Sequence, residues 1–206
     1  MTRFRARGDA GQVFPIYILV VGGLLFLAFA YFAVGQAAVN RNGAQTAADA
    51  AALAAAQETR DGLADRWVED VLDPTKWQDT FDGDGLELPD PCWRARELAA
   101  QNDATVNDCA PEGLRFSVTV QANKAAGDSV IPATSTTKAH ADAVAVIEPL
   151  CTFDPPGEDA EEDTLPTLTC GDGDGDGDGE TKWELDPDDL GDLPRPEDLF
   201  DVHLAD

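Results

Sequence analysis

From Val13 to Val34 the chain runs for 22 residues, VFPIYILVVGGLLFLAFAYFAV, without a charged side chain. At about 1.5 Å of rise per residue, a helix of that length reaches about 33 Å and can cross a hydrocarbon layer of about 30 Å. Pro15 falls in the first turn, where a missing N–H costs little. Gly22 and Gly23 would weaken a helix in water, but small residues let helices approach closely in a bilayer. A secretory signal needs an apolar core of only about 7–15 residues and then a small-residue cleavage site. Ala28-Phe29-Ala30 and Gly35-Gln36-Ala37 are passable sites of that kind, yet the run is longer than a signal requires. The expectation is a retained transmembrane helix over residues 13–35, the alternative being a secreted acidic domain released by signal peptidase.

Charge sets the orientation expected of such a span. Residues 1–12 form a basic leader in which Arg3, Arg5 and Arg7 face Asp9 alone. Positive flanks stay on the cytoplasmic side, so the N-terminus is expected inside and everything beyond Val34 outside. The whole chain carries a net charge of −26, very unevenly spread, and the exported part is strongly acidic. Such a surface argues against nucleic acid or anionic lipid as a partner.

Beyond the span, residues 36–60 are dominated by alanine, the best helix former. Ala44, Ala48, Ala51 and Ala55 recur at helical spacing and line one face with small side chains. That face suits close packing against neighbouring subunits, further copies of the chain included, or against the protein's own domain; a solvated helix is the plainer alternative. A mild break is expected at Asn42-Gly43 and an end near Gly62. Residues 61–148 are expected to form a small α+β domain, a helix laid on an antiparallel sheet. Leu63, Trp67, Val71 and Leu72 supply its helical core positions, and a loop follows up to Pro91. A short helix after Pro91 is expected to turn Trp93 and Leu98 inward. Leu114, Phe116, Val118 and Val120 alternate with polar residues as in a half-buried strand. An edge piece over Val130–Pro132 and a second strand in the latter half of 136–147 complete the expected sheet. Residues 149–206 are expected to be a disordered acidic tail: from position 151 onward, 20 acidic residues face only Lys182 and Arg195.

Few residues point to chemistry. Cys92, Cys109, Cys151 and Cys170 all lie on the expected outer side and lack metal-site spacing, which favours disulfides over zinc. Of the three connectivities, the expectation is sequential pairing, Cys92–Cys109 and Cys151–Cys170. In GDGDGDGDGE, Asp172, Asp174, Asp176, Asp178 and Glu180 resemble the opening of a calcium loop, although position 12 counted from Asp174 is Leu185. A solvated acidic linker is the plainer reading; calcium, bound weakly, is the only cofactor the residues suggest, and an anchored calcium-dependent adhesion module the function it would carry. His140 and His203 belong to no recognised catalytic motif, and no small-molecule substrate is implied.

The basic leader with Gly8 and Gly11, the single apolar helix, and then NGAQTAADAAALAA from Asn42 to Ala55 resemble the TadE/TadG-like proteins of Flp-type (tight-adherence) pilus assembly, in a short, actinobacterial-type form. The resemblance implies a membrane-anchored, non-enzymatic, pseudopilin-like accessory protein of a bacterial cell membrane, working with pilus-assembly or other membrane-helix subunits. It also makes Gly8 and Gly11 candidate processing points, although Val13 or Ile16 stands where a prepilin carries its fifth-position glutamate.

Overall fold

The computed structural model describes residues 13–85, 88–125, 138–155, 164–171 and 179–205. Helix α1 (Val13–Glu69) is continuous for 57 residues, a rod of about 85 Å that joins the apolar run to the alanine-rich run. It passes through both Asn42-Gly43 and Gly62, where a break and an end were expected. Beyond Gly62, Leu63, Ala64 and Trp67 are all buried, and their burial outweighs the cost of about 1 kcal/mol for a helical glycine.

The outer half of α1 lies across an antiparallel sheet of four strands, β1 (Ala104–Glu112), β2 (Arg115–Ala125), β3 (Lys138–Pro149) and β7 (Phe200–Leu204), in the order β1-β2-β3-β7. The expected α+β architecture is therefore present. Phe116, Val118 and Val120 of β2 and Ala141, Ala143, Ala145 and Ile147 of β3 point at the helix, while their neighbours face outward. Strand β1 has no counterpart among the expected elements. Its register shifts between Val106 and Asp108, so Asn107 is an extra residue that breaks the alternation a strand normally shows. Val130–Pro132 lies outside the described residues.

Helix α3 (Cys92–Gln101) packs beside α1 and β1. Its inward face is Cys92, Ala95 and Ala99, whereas Trp93 is exposed and Leu98 only half-buried, contrary to expectation. The small face allows α3 to lie close to the alanines of α1, and the Cys92–Cys109 disulfide fixes its first turn to β1. The loop expected before Pro91 contains a 3₁₀ turn (Pro74–Lys76) and helix α2 (Trp77–Asp82), whose Trp77 and Phe81 are buried one turn apart. Leu72, expected in the core, is exposed.

The tail departs most from expectation. Strands β4 (Cys151–Phe153), β5 (Leu168–Cys170) and β6 (Thr181–Trp183) form a second antiparallel sheet, and helical turn α4 (Pro196–Leu199) leads into β7. Cys151 and Cys170 face each other across β4 and β5 and are joined by a disulfide. Leu199 and Phe200 are fully buried. Phe81 stacks on both Phe200 and Phe153, at ring separations of 5.5 and 6.1 Å, and Trp77 lies between Phe153 and Trp67 at 5.2 and 5.4 Å. The described part of the acidic segment thus closes the core: its few apolar side chains sit together at the ends of elements, and its carboxylates remain in water.

Candidate membrane and assembly surface

Among the described residues, the inner half of α1 packs against no other element. Phe14, Ile16, Leu19, Leu25, Phe26, Phe32 and Val39 are each more than half exposed, and they point in every direction around the helix. A helix apolar all round belongs in a protein core or in a bilayer. Here the most apolar 18-residue window has a mean hydropathy of 2.4, and none of it is buried. Leaving one large apolar side chain in water forgoes about 1.5–3 kcal/mol. Over a dozen such residues, aqueous exposure is untenable, so this helix is a candidate single-pass membrane anchor. The first charged residue after it is Arg41.

From Ala44 onward the same helix changes solvent. Ala44, Ala48, Ala51 and Ala55 are buried, and Ala47, Ala52 and Ala56 with them, so the apolar arc is wider than one stripe. These alanines lie in one core with Phe116, Val118, Val120, Ala141 and Ala145 of the sheet and Ala95 and Ala99 of α3. Of the two uses expected for this face, packing on the protein's own domain is the one the structure displays. Two polar contacts set the register of helix on sheet: Asn40 Nδ2 donates to the Ala125 carbonyl at 3.4 Å, and Gln45 Nε2 to the Asp142 carbonyl at 3.2 Å.

The remaining sequence candidates are scattered. Gly8, Gly11, Asp172, Asp174, Asp176 and Asp178 lie outside the described residues, and Glu180 is exposed. Among the described residues, no group of three or more His, Cys, Asp or Glu side chains is arranged to hold a metal ion. His140 on β3 is within 2.8 Å of Gln121 Nε2, and His203 on β7 within 2.7 Å of an Asp201 carboxylate oxygen. A groove of about 460 Å³ lies between Leu63, Leu88, Pro111 and Leu114, with Thr59 and Asp90 as the polar side chains among the described residues that line it.

Residues 11–58 match the Tad family model, described as Flp pilus-assembly, TadE/G-like. The N-terminal segment is TadE/G-like. The match covers the exposed apolar half of α1 and most of its alanine-rich half, and stops before the outer domain's remaining elements. No curated protein and no solved structure matches the chain. The similarity to Flp pilus-assembly proteins is confined to this N-terminal segment; the outer domain is described by its own structure alone. Sequence reasoning missed α2 and β7, although Trp77 and Phe81 stand at i, i+4 and Phe200, Val202 and Leu204 alternate with Asp201 and His203.

Proposed function

We propose that this chain is a single-pass, non-enzymatic, pseudopilin-like accessory subunit of Flp/Tad-type pilus assembly or a related surface-secretion machinery. The observation that carries the reading is the division of α1: its TadE/G-like segment is unpartnered and apolar up to Val39, then buried in a domain from Ala44. The leader Arg3, Arg5 and Arg7 favours a cytoplasmic N-terminus, and two disulfides favour an oxidising outer compartment for the domain. In this arrangement the inner half of α1 meets the helices of other assembly subunits in the bilayer, and the domain is held just beyond it. The role asks for an anchored helix and a rigid head, and no catalytic group.

Expression in a bacterial host, followed by carbonate extraction, N-terminal sequencing and protease treatment of intact spheroplasts, tests this. The expected product resists carbonate, keeps its apolar run and loses its domain to external protease. A new N-terminus at Asp9 or Gln12 would add prepilin-type maturation to the same reading. A soluble product beginning near Tyr31 or Ala38 would replace it with a secreted domain.

A further inference from the structure

We propose that the helix-proximal end of the outer domain docks on the headgroups of anionic phospholipids through Arg41, Lys124 and Lys138. This rests on the reading that the apolar half of α1 lies in a bilayer. Lys124 is the last residue but one of β2 and Lys138 begins β3, where Ala125 and Lys138 are register partners. The hydrogen bond from Asn40 to the Ala125 carbonyl brings that end of the sheet to the first polar turn of α1, one residue before Arg41. Three cations from three elements are therefore brought to the same end of the domain, near the level where the apolar helix surface stops at Val39.

The placement runs against the charge of the molecule. Arg41, Lys124 and Lys138 are all exposed, in a chain with 40 acidic and only 14 basic residues. Asp103, at the start of β1, pairs with Lys124 at 2.8 Å. Both members are largely exposed, and such a surface pair is readily exchanged for another anion. The same carboxylate raises the Lys124 pKa above its ordinary value, so the ammonium stays charged at any physiological pH. Asp142, four residues beyond Lys138 along β3, is the other described acid near this end of the strand. Elsewhere the domain repels an anionic surface, so attraction confined to this end would hold the head upright on its stalk with one face toward the membrane.

The chain supplies its own probe, because its only lysines are Lys76, Lys124, Lys138 and Lys182. Lys76 follows the far end of α1, and Lys182 lies on β6 of the second sheet, so both serve as controls. The full chain is placed in nanodiscs of phosphatidylcholine alone, or with a third of it replaced by phosphatidylglycerol, and acetylation rates are read by mass spectrometry. Lys124 and Lys138 are expected to slow about fivefold relative to the controls in the anionic discs only, the factor one surface-held cation contributes. The protection should disappear at about 1 M salt, where screening acts within about 3 Å. Arg41→Gln and Lys138→Gln should each reduce the protection of Lys124. Equal rates in both lipids, with the chain still embedded, would overturn the docking and leave the anchor reading standing. A chain that does not remain with the discs at all would overturn the anchor reading and the docking with it.

Discussion

Two glycines show how far a residue's meaning depends on what surrounds it. Gly62 and Gly83 look alike in the sequence, each beside an aspartate. Gly62 lies within α1 in helical conformation, and a Cβ there would meet Leu88 Cδ2 at 3.4 Å, an ordinary contact. Gly62→Ala is expected to stabilise the domain by about 0.5–1 kcal/mol, through helix propensity and a less flexible unfolded chain. Gly83 caps α2 with φ at 71°, and a Cβ there would meet Leu114 Cδ2 at 2.7 Å. Gly83→Ala should cost about 2–5 kcal/mol, from left-handed strain of about 1–2 and overpacking of about 1–3. Urea denaturation of both variants checks the opposite signs. The alanines carry the same lesson. Their small faces and helical spacing were legible, but an alanine stripe does not say whether a sheet, a second helix or another subunit will press against it.

At the level of elements, legibility followed apolar periodicity and failed where that signal was short or out of phase. The central strand β2 shows three clean alternations and was found; β1 carries a bulge, and was not. Strand β7 is only five residues, FDVHL, inside a segment whose composition is that of a disordered chain. Composition averages over the segment, whereas folding uses the few side chains that land together. Pairing of Val202 with Ile147 and of Leu204 with Ala145 extends the sheet, and Phe200 completes an aromatic cluster with Phe81, Phe153, Trp77 and Trp67. Phe200→Ala should therefore cost about 3–5 kcal/mol, the range for a fully buried aromatic, rather than the near-zero effect of a tail residue. Thermal unfolding followed by near-UV circular dichroism reads the difference. Cysteine pairing was legible to the extent that sequential pairing was the simplest of three choices; nothing in the spacing revealed that each bridge joins one element to its immediate neighbour.

For the whole molecule, one helix serves two solvents with almost no shared ground. The buried positions of α1 begin at Ala44, while Phe14 to Val39 add nothing to the core. A chain beginning at Asn40 is accordingly expected to stay soluble without detergent, to keep the near-UV signal of the full protein and to unfold in one transition. Loss of that signal would mean that the apolar half supports the head. The anchoring half was legible from its length and lack of charge, and the helix-on-sheet class of the head from its periodicity; the strand order and the closing strand were not, because they depend on contacts between residues far apart in the chain. The longest of these contacts has a consequence for biogenesis. Helix α1 packs against α4 and β7, so the first and last described elements meet in one core. Synthesis delivers them in the opposite order to their need: the stalk can enter the bilayer while about 140 residues of its head are still to come. Until residue 204 has emerged, the core lacks a wall and the chain stays loose. In the orientation proposed above, that delay would keep the head threadable through a secretion channel and reserve its final closure for the far side of the membrane.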